Sequence, residues 1–153
     1  MDAKIVAMKT AQEFLGRALT LQREIENKKR RIQTLRDMAT STTGTMSDMP
    51  RSDSPNLQRM ETVLCKAADL EFEVDVDKAR LDLLKADITE VLSDLEDFRE
   101  QQVLYARYVA GMEWNSIATE CGCARATAIR HHHSGLSHIA EIMKNHPEKM
   151  ILG

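Results

Sequence analysis

The sequence predicts an all-α protein: a long antiparallel helical hairpin, coiled-coil-like, followed by a compact C-terminal domain of short helices. Three observations predict it. Apolar residues recur every three or four positions through two long stretches, the period of helices packed lengthwise. A polar segment rich in Ser, Thr, Asp, Gly and Pro separates those stretches. The composition, with 6 Gly, 3 Pro and 4% aromatics in 153 residues, suits long helices and suits sheets poorly.

The first stretch covers residues 2–39. Ala7, Ala11, Phe14, Ala18, Leu21, Ile25, Lys28, Ile32, Leu35 and Ala39 alternate spacings of four and three. Lys28 is the polar break in that stripe. Such a break sets register or oligomer state, or else its stem snorkels out of the seam. Residues 40–56, TSTTGTMSDMPRSDSPN, are expected to be a loop. Ser54 followed by Pro55 marks the start of a second helix, because proline is tolerated at the first helical position.

From residue 56 the stripe returns, with Leu57, Met60, Val63, Ala67, Leu70, Val74, Asp77, Leu81, Leu84, Ile88, Val91, Leu95 and Phe98. Each helix would be about 55–60 Å long at ~1.5 Å per residue. Counted outward from the loop, helix 1 runs out near Met1 as helix 2 reaches Leu92–Leu95, so the lengths match. Charge supports the pairing. Residues 1–40 carry nine Lys/Arg and five Asp/Glu, whereas residues 57–100 carry six and thirteen. A basic helix beside an acidic one favours this pairing over self-pairing of either. Two helices alone bury little surface. The hairpin is therefore expected to form a homodimer, as a four-helix bundle, or to pack on the C-terminal segment.

Residues 97–145 leave the heptad for short helical stretches separated by turns. A leading helix over roughly 98–109 ends at Gly111. Trp114, Ile117, Ala118 and Cys121 define a second helix ended by Gly122, with Cys123 turned back toward the core. A third begins near Arg125, with Ala128, Leu136 and Ile139 inward. This spacing meets the demands of a helix-turn-helix. Ala118 is small enough for close crossing, and Gly122 permits a left-handed turn four residues later. The plainer alternative is a three-helix subdomain that touches no DNA. The expected division is thus a hairpin over 1–96, a helix-turn-helix over 97–145 and a tail over 146–153. Asp94–Arg99 holds no Gly or Pro, so helix 2 running unbroken into the leading helix stays open.

The segment resembles region four of bacterial sigma factors, through Gln101–Val109, Trp114–Cys121 and Arg125–Leu136. Nearly the whole chain is similar to a family of small transcriptional regulators from phages and prophages of Gram-positive bacteria. The similarity runs through EFLGRALTLQREIENKKRRIQTLRDMAT, the SDMP of Ser47–Pro50, the run NLQRMET, and a Trp at the place of Trp114. It implies a regulator of late or packaging genes that binds double-stranded promoter DNA, with host RNA polymerase as a second partner. Two residues depart from the pattern. Ala124 stands where such modules prefer Ser or Thr, so the recognition helix lacks a side-chain cap. His131 stands where a branched apolar residue is usual.

In such a module the recognition helix enters the major groove N-terminus first. Its outward positions would be Arg125, Ala126, Ile129, Arg130 and His133, with Thr127 at the edge. Arg125 and Arg130 suit guanine, whose two acceptors take a guanidinium side-on. They serve equally to hold phosphates, which positions the protein without specifying sequence. Ile129 would meet a thymine methyl. Asn115 and Ser116 would donate to a phosphate at the start of the second helix.

Several classes are disfavoured. The formal charge of −3 is not the basic balance that advertises nucleic-acid binding. Cys121 and Cys123, with His131, His132 and His133, are zinc-ligand types. C-x-C is not knuckle spacing, however, and consecutive helical histidines point about 100° apart, so no metal or cofactor is expected. Histidine beside phosphate titrates near neutrality, so mild pH dependence of DNA binding is expected instead. The KKRR run, Lys28–Arg31, reads as a solvated face or as a partner for acidic helix 2. No phosphate-cradling loop or G-x-S-x-G is present, and no enzymatic activity is expected. No apolar run reaches the ~18 residues of a membrane span. The first residues lack a signal peptide's apolar core, so a soluble protein of the bacterial cytoplasm is expected. Two other functions fit the same elements: a small terminase subunit for DNA packaging, and a protein-binding adaptor with a vestigial helix-turn-helix.

Overall fold

The computed structural model describes residues 2–45 and 55–146. Five helices follow one another: α1 Ala3–Thr45, α2 Pro55–Leu92, α3 Phe98–Tyr108, α4 Trp114–Cys121 and α5 Arg125–Asn145, with no strand among the described residues. The all-α class and the hairpin-then-domain order are those the sequence predicts. No described helix is long and apolar enough to cross a membrane.

Contacts divide the chain into two compact units, one of Met1–Leu21 with Leu81–Gly153, the other of Gln22–Arg80. In the second unit α1 and α2 run antiparallel. Lys28 meets Glu73 and Asp77, and Arg36 meets Glu71, so partner numbers fall on one helix as they rise on the other. Ile25, Ala39, Val63, Ala67 and Val74 are buried along the seam. Lys28 and Asp77 are the polar members of the two stripes, and they pair with each other at 2.7 Å. The stripe shows Lys28 as a polar break, but the match to Asp77 needs the register of both helices. The Asp77 hydrogen bond raises the Lys28 pKa above its ordinary value. Lys29 bonds Glu26 on its own helix. The KKRR run therefore divides between the acidic helix and the solvated face.

The expected loop over 40–56 needs correction at both ends. α1 continues to Thr45, and α2 starts at Pro55, the residue read as its first. Nothing between Thr40 and Thr43 forbids helix, and the Thr40 hydroxyl bonds back to the Arg36 carbonyl, so it does not compete for the helix backbone. The rest of that loop, with SDMP, lies outside the described residues, as do residues 147–153 of the tail.

The first unit gathers the start of α1, the end of α2, and α3 to α5. Here α1 buries Ala11, Phe14, Leu15 and Ala18. Leu15 lies off the predicted stripe, and its burial widens the inward face because α1 meets more than one neighbour here. The Leu19 side chain reaches Gly111, for example. The sequence left open whether α2 continues into α3, and it does not. The amides of Asp94 and Leu95 reach back three residues to Val91 and Leu92, tightening the end of α2. Asp97 then caps α3, accepting from the Arg99 and Glu100 amides. Phe98, read as the last member of the α2 stripe, is instead the exposed first residue of α3.

Candidate nucleic-acid interface

α4, a tight turn and α5 form the helix-turn-helix, and α3 packs beneath it. Val103 and Ala106 of α3, Ile117 and Ala118 of α4, and Ala128 of α5 make one buried cluster. Trp114, Cys121 and Cys123 pack against it from the edge. Gly122 sits at φ 66°, ψ 35°, the left-handed conformation that costs glycine no steric strain. Its N–H and that of Cys123 return to carbonyls of Ala118 and Thr119, closing the end of α4. Gly122 takes the left-handed turn and Cys123 packs back on the core as the sequence predicts, and Ala118 is buried between the helices of the cluster.

α5 meets α3 through a close contact. A Cβ at Gly135 would lie 2.8 Å from Leu104 Cδ1, so any larger residue there would force the buried Leu104 side chain to shift. Beside it, buried Glu100 accepts from Ser134 Oγ at 2.6 Å and from His138 Nδ1 at 2.7 Å. That bond raises the His138 pKa above the usual imidazole range.

His132 is buried on the inward side of α5, four positions after Ala128, and like Gly135, Ala140 and Met143 it is not marked as inward by the sequence. Its Nε2 lies 2.7 Å from the Tyr108 hydroxyl, and the Trp114 ring meets it edge-on. The Arg107 guanidinium lies over the Trp114 ring, 5.1 Å from its centre. The imidazole Nδ1 is buried without a partner. Burial first, then the nearby His133 and Arg107, push the His132 pKa down to about 4. His132 is therefore neutral at physiological pH. Burial likewise raises the Tyr108 pKa. His131, the residue noted as a departure, is half-buried against Cys121, Gly122 and Cys123.

The predicted contact residues fall at the surface of this module. Arg125, Ala126, Arg130 and His133 are exposed on α5, and Asn115 and Ser116 are exposed at the start of α4. Thr127 and Ile129 are half-buried. Ile129 lines a shallow hollow with Leu19, Tyr108 and Trp114, which draws it partly away from any groove. Arg130 donates to Thr127 Oγ1 at 3.3 Å, so the edge residue steadies the arginine. Ala124 makes no side-chain cap, and its extended backbone opens directly into α5. The first N–H groups of α5 thus lack a side-chain acceptor from the cap residue, and the positive end of the helix dipole stands beside Arg125. Residues 97–146 hold five Lys/Arg against five Asp/Glu, so any attraction to phosphate is local to this helix end.

Among the described residues no group of three His, Cys, Asp or Glu is arranged to hold a metal ion. Burial raises the pKa of Cys121, which disfavours the thiolate a metal needs. No protein-family model, no curated protein and no solved structure matches this chain.

Proposed function

We propose that the protein is a non-enzymatic, sequence-specific DNA-binding regulator of transcription, of the phage and prophage kind its sequence resembles. The α5 face reads the major groove, and the hairpin supplies contacts to RNA polymerase. The observation that carries this reading is the combination of a closed apolar core with an uncovered recognition face. Val103, Ile117 and Ala128 are almost wholly buried, while Arg125, Arg130 and His133 on the same module stay exposed. A helix held rigidly at its inner face and presenting two guanidinium groups at its leading end suits bidentate contact with guanine. Asn115 and Ser116, exposed at the N-terminus of α4, would donate to a backbone phosphate.

Selection of bound duplexes from a random DNA library tests it. The wild type should enrich a defined motif. A variant carrying Arg125→Ala and Arg130→Ala should lose the enrichment, with at least about 1–3 kcal/mol of discrimination gone per guanine contact. Absence of enrichment by the wild type, even at low salt where phosphate attraction is strongest, would overturn the reading in favour of a protein-binding adaptor.

A further inference from the structure

α2 carries a second apolar seam that the hairpin does not use. The seam facing α1 includes Val63, Ala67, Val74 and Asp77, all buried. At ~100° per residue, Phe72, Val76, Ala79, Leu83 and Ala86 fall on the opposite side of the helix, roughly 170° away. Their spacings are four, three, four and three, the period of a helix packed lengthwise on another. All five are exposed, Phe72 by 70% and Leu83 by 69%. Large apolar side chains repeated along one open helix face mark an interaction surface.

We infer that a second copy of this chain covers the seam, its α2 packed antiparallel about a two-fold axis between Val76 and Ala79. The charges beside the seam choose this occupant and its register. One flank presents Lys66, Glu73, Arg80 and Asp87, each seven residues after the last; Glu73 and Arg80 already touch Lys28 and Asp77 within the chain, at 3.4 and 4.0 Å, but both side chains stay more than half exposed and open to a second partner. With Val76 opposite Ala79 of the second copy, Phe72 falls opposite Leu83, Glu73 beside Arg80 and Lys66 beside Asp87. The two-fold repeats each, giving four opposite-charge pairs. Sliding to the neighbouring registers sets Glu73 against itself and Lys66 against Arg80, or Arg80 against itself and Glu73 against Asp87. A parallel pair sets Asp69 and Glu90, the acidic ends of the seam, each against its own copy. The antiparallel pair sets them against Ala86 and Cys65. On the other flank Asp75 faces Asp82, so register rests on the first flank.

This dimer does not depend on DNA binding, and it is tested without DNA. Sedimentation of the full chain over about 1–200 μM covers the range in which interfaces of modest area dissociate. The wild type should reach twice the 17.3 kDa chain mass. Phe72→Glu with Leu83→Glu should leave a monomer with an unchanged helical circular dichroism spectrum. Lys66→Asp should weaken the dimer by about tenfold or more, and adding Asp87→Lys should restore it. Glu90→Cys should cross-link through Cys65 of the other copy under mild oxidation. A monomeric wild type overturns the inference. So does a dimer indifferent to Phe72→Glu with Leu83→Glu, a charge reversal that does not restore pairing, or a ring of many copies.

Discussion

His132 makes the stability of the helix-turn-helix unit sensitive to acid. Its pKa is about 4 in the fold against 6.5 ordinarily, so the unfolded chain binds the proton more readily. The stability it contributes is full above pH 6.5 and is lost as pH falls toward 4, by roughly 3 kcal/mol. His138 acts with the opposite sign. Its pKa is raised by Glu100, so its contribution is full below 6.5 and is lost as pH climbs through the raised value. Thermal melts should therefore show greatest stability near neutrality. The acid limb should become shallower in His132→Phe and the alkaline limb shallower in Glu100→Gln. An acid limb unchanged by His132→Phe would contradict this assignment. Gly135 gives a second residue-level prediction. Alanine there gains up to about 1 kcal/mol of helix propensity but collides with buried Leu104. Overpacking of about 1–3 kcal/mol should win, lowering the midpoint of denaturant unfolding. A midpoint that rises would mean that α3 and α5 separate at little cost.

Among the elements, the hairpin was the most legible part of the chain, because a long 3.5-residue stripe admits few other structures. Ala11, Phe14, Ala18, Ile25 and Ala39 were read as inward, and all are buried. The stripe did not show that its two polar members belong together, since pairing Lys28 with Asp77 requires the register of both helices. Removing either partner should destabilise the hairpin, Asp77→Leu by leaving Lys28 only its longer contact with exposed Glu73, and Lys28→Met, the costlier change, by stranding buried Asp77. The double variant should be more stable than either single one, as measured by a double-mutant cycle in urea. Additive losses would mean that the pairing of Lys28 with Asp77 contributes nothing to stability. Helix ends were less legible. Thr40–Thr45 looks like loop by composition, yet helix continues through it where no residue forbids it. At Asp97 the reverse holds, for a capping aspartate ended an apparently continuous helical pattern.

At the scale of the whole molecule, the turn geometry was visible in the sequence because Gly122 and Ala118 have few substitutes at their positions. His132 was not, since histidine is a poor signal for an inward position and its burial rests on Tyr108, a partner 24 residues away. The proposed contact face was legible only as exposed positions, as surface residues carry no periodic signature of what they touch. The central claim is that the leading half of α5, with the start of α4, is a DNA-reading surface. Amide resonances of the isotope-labelled full chain, followed while a short duplex is added at low salt, test it most directly. The largest changes should fall on Asn115, Ser116 and Arg125–His133 and weaken as salt is raised. Changes confined to other helices, or none at saturating duplex, would contradict it.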